Sequence, residues 1–278
     1  MKEFLGVIMS LIMSLSGGGY TGDVPEDSQF EVRFIDVGQA DCALIKCDDE
    51  TMLIDGGNRE DSSLVVSVLK NNNVEYLDYV VCTHAHEDHV GGLSGALSFA
   101  DAGHILAPET EADTKVYQNF VEKAKERGVK IEHPDDGDNF MLGSAQVEIL
   151  GPVNEKGKDI NSTSIVLRID YGETSFLFTG DAESDEEGDI IENSGNLKAT
   201  VLKVGHHGSD TSTSYQFLRE VMPMYSVISV GKDNSYGHPD ESIISRLEDS
   251  GTKILRTDEC GDIIMTSDGK NIDVNTSK

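Results

Sequence analysis

The sequence predicts an α/β protein: one domain built as a four-layer αββα sandwich, two sheets face to face with helices outside. Three observations support that reading, while local periodicity alone does not fix how the layers pack. Alternating or apolar runs of strand length interleave with amphipathic runs of helix length. No fixed-period repeat and no low-complexity linker divides residues 30–274. Finally, clusters of histidine and aspartate follow directly on apolar strands at residues 84–89, 181 and 206–207, and strand ends are where layered α/β proteins present functional side chains.

Taken in order, Phe30 to Val37 alternates apolar and polar and reads as a strand, followed by a tight connection at Gly38-Gln39-Ala40-Asp41. Cys42 to Cys47 and Thr51 to Asp55 read as a hairpin with an acidic tip, and Gly56-Gly57 as a turn. Asp61 to Lys70 has helical spacing at Leu64, Val65, Val68 and Leu69. A strand at Tyr79 to Cys82 leads into the first cluster, and a helix of small residues runs from about His89 to Ala100. His104 to Ala107 is a short strand, and Thr114 to Arg127 an amphipathic helix closed by Gly128. A strand meander follows at 130–132, 139–142, 146–150, 164–170 and 174–179. The acidic stretch Glu183 to Glu192 reads as a surface helix. Strands at 200–204 and 225–230 flank a helix at 214–221, and a helix at 241–249 leads to strands at 253–256 and 262–266.

The 278 residues suffice for one large domain with a proper core. With 51 acidic and 22 basic residues the net charge is −29. Such a surface repels polyanions at long range and excludes a protein that tracks along DNA on a basic nucleic-acid-binding face. It leaves room for hydrolysis of a phosphate ester at a metal site, where the ions supply local positive charge. None of the four cysteines, Cys42, Cys47, Cys82 and Cys260, forms a CxxC pair, so no zinc knuckle is expected. Cys42 and Cys47 should face opposite sides of their strand and not bond to each other; buried free thiols are the default. Residues 1–19 read as a signal peptide. Lys2 starts it, Phe4 to Leu15 is mostly apolar, and Ser16-Gly17-Gly18-Gly19 follow. The run of about 12 residues is too short for a span of roughly 20. Residues 20–29 then form a polar linker, and 30–278 the single folded domain. The expected location is secreted or extracellular, with no transmembrane span after signal removal.

The densest chemistry is Thr83-His84-Ala85-His86-Glu87-Asp88-His89. Imidazole and carboxylate are ligands of Zn²⁺ and similar ions. On an extended segment His84 and His86 point the same way, and the adjacent Asp88 and His89 point elsewhere unless the chain turns. A strand end, a turn and a helix start would bring two ligand pairs into one pocket, suggesting two neighbouring metal ions. In Leu202-Lys203-Val204-Gly205-His206-His207-Gly208-Ser209, one histidine should bind metal and the other sit at the rim. His206 is nearer the strand and is taken as the ligand, leaving His207 to donate to an oxyanion or phosphate. Asp181 closes the strand Phe176-Leu177-Phe178-Thr179-Gly180 and could bridge two ions. His238, held between Gly237 and Pro239, is placed to contact substrate. Asp55 ends another strand and is expected to accept hydrogen bonds behind the site, orienting an imidazole.

Together these residues resemble the metallo-β-lactamase superfamily, whose HxHxDH motif is matched in full by His84 to His89. Residues 34–41, 161–167, 178–181, 206–209 and 236–239 resemble the hydrolase domain of ComEC-like competence proteins, without their membrane channel. The resemblance implies an αββα fold and two divalent ions, Zn or Mn. His84 and His86 would hold one, Asp88, His89 and His206 the other, with Asp181 bridging. It also implies hydrolysis of a phosphodiester, small or polymeric, of the nuclease or phosphorylcholine-esterase type, with Asp88, His207 and His238 acting on water and phosphoryl oxygens. One departure stands out. Many members carry a further histidine on the first ion between the first cluster and Asp181, whereas this chain has Asn161-Ser162-Thr163-Ser164. Asn161 is expected near that ion, which has fewer strong ligands. The competing readings are a carbonyl hydrolase, lactonase or β-lactamase in type, and a non-catalytic metal-stabilised surface module.

Overall fold

Fifteen strands form two sheets in a computed structural model that describes Val24 and residues 29–278. The export signal and most of the linker read from the sequence lie outside the described residues. The first sheet orders its strands β15-β14-β1-β2-β3-β4-β5-β6. These are β1 Phe30–Phe34, β2 Ala43–Cys47, β3 Glu50–Ile54, β4 Tyr76–Val81, β5 Asp101–Leu106, β6 Ile131–Glu132, β14 Ile263–Ser267 and β15 Ile272–Thr276. The second runs β13-β12-β11-β10-β9-β8-β7. Its strands are β7 Asn139–Leu142, β8 Ala145–Gly151, β9 Val166–Tyr171, β10 Thr174–Phe178, β11 Val201–Lys203, β12 Tyr225–Ile228 and β13 Lys253–Arg256.

The helices are α1 Ser62–Asn71, α2 Glu87–Val90, α3 Leu93–Phe99, α4 Lys115–Arg127, α5 Ser184–Asn193, α6 Tyr215–Val221, α7 Glu241–Ser250 and α8 Thr257–Cys260. Three apolar cores account for four layers. Phe30, Phe34, Ile45, Tyr171, Phe176 and Phe178 pack between the two sheets. Leu53, Val80, Val65, Leu97 and Phe120 pack the first sheet against α1, α3 and α4. Leu177, Leu202, Ile190, Phe217 and Leu247 pack the second against α5, α6 and α7. Side chains alternate across each strand, so Cys47 falls in the central core and Cys42 in the first outer one. All four cysteines are free thiols.

Each sheet is half antiparallel and half parallel. β3, β4 and β5 run parallel in one, and β10, β11 and β12 in the other. Their carboxyl ends are where the loops carrying Asp55, His84 to His89, Asp181 and His206-His207 emerge. The predicted elements differ in five respects. β6, expected at the head of the meander, pairs in parallel with β5 in the first sheet, and the short α8 was not expected. The helix expected from His89 to Ala100 is two short helices separated at Gly91-Gly92. The segment 183–192 is a helix, but Glu186 and Glu187 are buried. Glu187 accepts from the amides of Thr213 and Ser214, and Glu186 pairs with Lys158 and the Val153 amide. β15 was not read from the sequence, because its face is mostly exposed and carries little apolar pattern.

Candidate metal centre

The centre is built from loops that pack tightly because glycine allows it. A Cβ on Gly92 would lie 2.1 Å from the Gly56 carbonyl oxygen, so only glycine lets the turn after His89 sit on the loop after β3. The Gly56 amide then donates to the His89 carbonyl at 2.7 Å. Asp55, His206 and His207 hold positive φ of 57°, 48° and 53°, a left-handed backbone that costs energy in non-glycine residues and tends to persist at functional sites.

One ligand atom each from Asp88, His89, Asp181 and His207 lies within 4.8 Å of the others. His89 Nε2 is 3.2 Å from Asp181 Oδ1, and His207 Nε2 is 3.3 Å from Asp88 Oδ2 and 3.7 Å from Asp181 Oδ2. His89 Nε2, His207 Nε2 and Asp181 Oδ1 are buried and have no hydrogen-bond partner. Orphaned polar atoms in a protein interior are expensive, and here they converge in a two-nitrogen, two-carboxylate set suited to a divalent ion. The residues present therefore fit the metal.

The outward ring nitrogens are fixed from behind. His89 Nδ1 donates to Asp55 Oδ2 at 2.9 Å. The same carboxylate accepts from the Thr83 hydroxyl at 2.7 Å, and its Oδ1 accepts from the Thr83 amide at 2.8 Å. His207 Nδ1 lies 3.1 Å from the Ser229 carbonyl and 3.2 Å from Asp41 Oδ1. Asp41 Oδ2 is in turn 2.7 Å from Lys203 Nζ. Such partners hold the tautomer that leaves Nε2 facing a metal.

On the other side, His84 Nε2 and His86 Nδ1 are 3.1 Å apart, and His84 Nε2 is 3.8 Å from Asp181 Oδ2. His84 Nδ1 lies 3.3 Å from both the Thr83 and Ser164 hydroxyls. Asp181 thus stands between the two groups of histidines: Oδ1 faces His89, and Oδ2 lies between His84 and His207.

The buried charges compensate one another. Burial disfavours the ionised form of Asp181, but His89 and His207 outweigh it and hold the carboxyl well below its usual range. Asp88 is likewise brought to about 2 against its burial, by the nearby imidazoles of His207 and His89. Burial opposes charge on His207, yet Asp181 and Asp41 push it up to about 10. His84 is driven down by burial and by His89, and so stays neutral.

The structure reverses the sequence placement of the paired histidines. His207 is 2% exposed and belongs to the Asp88-His89-Asp181 group, whereas His206, with a side chain 21% exposed, stands at its rim. The residue nearer the strand is the more exposed of the two, because the left-handed turn swings His206 outward and His207 in. His206 Nε2 still lies 3.7 Å from Asp181 Oδ2, and its Nδ1 faces Thr211 Oγ1 at 3.2 Å and Glu183 Oε1 at 3.6 Å. His238 stands beside it edge-on, rings 5.7 Å apart, and Tyr236 stacks on His238. Asn161 donates its amide to Glu183 Oε1 at 3.3 Å. His104 and His133 are engaged elsewhere, with Glu132 and with the Ala107 and Pro108 carbonyls.

Sequence reasoning gave no role to Asp41, Lys203, Ser229 or Glu183. Lys203 did leave a signal: a lysine inside the apolar run Val201-Leu202-Lys203-Val204 is buried with a partner or not buried at all. Ser229 acts through its backbone carbonyl, which no sequence reveals.

Two sandwiched mixed sheets with a histidine-aspartate centre at the carboxyl ends of their parallel strands define a metallohydrolase class. Residues 35–232 match the family model described as the metallo-beta-lactamase superfamily, and the chain belongs to that superfamily as a metal-dependent hydrolase. It is 31% identical over 254 residues to ComE operon protein 3 of Bacillus subtilis (strain 168), covering 85% of this chain and 33% of that protein. It is 32% identical over 260 residues to Competence protein ComA of Neisseria gonorrhoeae, covering 92% of this chain and 35% of that one. These similarities put it in the ComEC-like branch, and the chain spans about a third of the length of these curated relatives. Among solved structures, the metallo-beta-lactamase fold protein YhfI from Bacillus subtilis superimposes with a TM-score of 0.56 at 13% identity, covering 86% of this chain and 100% of that one. Among the described residues no helix is long and apolar enough to cross a membrane.

Proposed function

We propose that this protein is a secreted phosphodiesterase that uses two divalent ions, Zn²⁺ or Mn²⁺. The observation that carries the reading is the convergence of unpartnered buried atoms from His89, Asp181 and His207 beside Asp88. His84 and His86 would hold one ion, Asp88, His89 and His207 the other, with Asp181 between. Bound there, such ions supply a water of lowered pKa and positive charge for phosphoryl oxygens. The chain's own groups do the rest. Asp88, ionised and partly exposed, accepts a hydrogen bond from the attacking water and orients it. His206 and His238 line the rim and donate to the phosphoryl oxygens. His238 is kept neutral by partial burial and by its histidine neighbours, so it donates without adding charge.

Beside Asp88 opens a groove of about 600 Å³ whose lining includes Asp36, Glu60, Asp61, Glu87 and Tyr236 and, among the described residues, no basic side chain. Together with the net charge of −29, this supports a small or cell-wall phosphodiester over long duplex DNA, which needs cationic contacts along its backbone. The apolar run Phe4 to Leu15 supports action outside the cell.

The test is hydrolysis of bis-p-nitrophenyl phosphate by purified protein with Mn²⁺ or Zn²⁺, run beside nitrocefin and a homoserine lactone. Turnover of the phosphodiester alone, abolished by EDTA and by His86→Ala, is expected. Preferential turnover of either carbonyl substrate, or hydrolysis indifferent to both EDTA and His86→Ala, overturns the reading.

A further inference from the structure

The His84-His86 side presents two imidazole nitrogens and one oxygen of Asp181, one strong donor fewer than the opposite side. Asn161 has the means to complete it. It is 9% exposed, and its Oδ1 is buried with no hydrogen-bond partner. Its other terminal atom faces Glu183 Oε1 at 3.3 Å. A carboxylate can only accept, so that atom must be the NH₂, and the orientation of the carboxamide is chemically fixed. The free oxygen is therefore the end turned away from Glu183.

The surroundings tie Asn161 to the first ion's side. The Ser164 amide donates to the Asn161 carbonyl at 3.0 Å. The hydroxyl of the same Ser164 lies 3.3 Å from His84 Nδ1 and accepts from the Asp181 amide at 3.0 Å. One short turn, Asn161–Thr163, thus links Asn161 to both His84 and Asp181. At the rim, Glu183 reaches Asn161, the Thr211 hydroxyl and His206 together and so fixes the NH₂ end of the Asn161 carboxamide.

We infer that Asn161 Oδ1 is the remaining protein donor to the ion held by His84 and His86, and that Glu183 is the positioning residue that aims it. The inference rests on the two-metal reading above. An amide oxygen is a harder donor than imidazole, so a set of two nitrogens, a carboxylate and an amide oxygen shifts preference from Zn²⁺ towards Mn²⁺. The first ion should accordingly exchange more readily than the second and be Mn²⁺-selective relative to a three-histidine site.

The experiment is Mn²⁺ titration of the full chain followed by electron paramagnetic resonance, with Zn²⁺ competition, on wild type and on Asn161→Ala, Asn161→His, Glu183→Ala and Glu183→Gln. Circular dichroism confirms that each variant is folded. Wild type should show two classes of site. Asn161→Ala and Glu183→Ala should each weaken the looser class by about 10–100-fold and leave the tighter one unchanged. Glu183→Gln keeps an acceptor for the Asn161 amide and should bind within about 3-fold of wild type, since an outer partner acts through the hydrogen bond it makes. Asn161→His should turn the looser class towards Zn²⁺. If Asn161→Ala binds both ions as wild type does, or Asn161→His leaves the Mn²⁺/Zn²⁺ preference where it was, the assignment of Asn161 is wrong and the two-metal reading stands. If wild type binds no ion at the looser site, both fall together.

Discussion

Replacing Lys203 by methionine removes the ammonium that lies 2.7 Å from Asp41 Oδ2 while keeping most of the side-chain volume. The side chains are 4% and 7% exposed, so water cannot take the place of the lost charge. Breaking a buried pair by removing one partner costs about 3–5 kcal/mol. Asp41 keeps His207 Nδ1 at 3.2 Å, which places the expected loss near the lower end, about 3 kcal/mol. For a chain of this size that lowers the melting temperature by about 6–12 °C. Urea unfolding of wild type and Lys203→Met in EDTA measures it without a contribution from bound metal. The pH dependence has a definite sign. Burial works against the Asp41 carboxylate, but Lys203 and His207 hold its pKa far below the ordinary 3.8 of an aspartate. The stabilisation from this pair is therefore complete above 3.8 and is lost as pH falls through the lower folded value. The gap between wild type and variant should be full at pH 7 and narrow in acid. A gap below about 1 kcal/mol at pH 7, the scale of an exposed pair, would refute the idea that a buried Lys203–Asp41 pair braces His207.

Three further outcomes follow from the same geometry. Asp55→Asn replaces the acceptor of His89 Nδ1 and the Thr83 amide; metal affinity measured by competition with a chelator should fall about 10–100-fold while the far-ultraviolet circular dichroism is unchanged. Gly92→Ala puts a Cβ 2.1 Å from the Gly56 carbonyl oxygen with no φ penalty, and urea unfolding should show a loss of about 1–3 kcal/mol from overpacking alone. Burial raises the Cys42 and Cys82 thiols well above their usual value, with Asp55 adding to it at both; at pH 8 both should resist a disulfide thiol reagent in the native protein and react once it is unfolded, with the partly buried Cys260 the first to be labelled.

Strand and helix order was legible because alternation and amphipathic spacing report which face of an element is buried, and each of the three cores follows from it. The HxHxDH stretch was legible as metal chemistry because those residue types at that spacing have few other uses. The arrangement around it was not. Whether His206 or His207 enters the cluster depends on two consecutive left-handed residues, a backbone feature that the side-chain sequence His-His does not encode. The Ser229 carbonyl reaches His207 from the end of the next strand, and the bracing of His207 by Asp41 with Lys203 joins segments more than 150 residues apart along the chain. Contacts of that kind arise only when two sheets are stacked. The buried acids of α5 were misread for a related reason: in a sequence this acidic, Glu186 and Glu187 look like their solvated neighbours until their partners, Lys158 and the amides of Thr213 and Ser214, come into view.

The central claim is that Asp181 lies between two metal ions. Elemental analysis of protein dialysed against metal-free buffer after loading with Mn²⁺ or Zn²⁺ tests it most directly, with Asp181→Ala as the companion. Wild type should retain close to two ions per chain, and the variant well below one, because both ions lose a ligand at once. A wild-type content well below one ion per chain, or an Asp181→Ala content equal to wild type, would contradict the account.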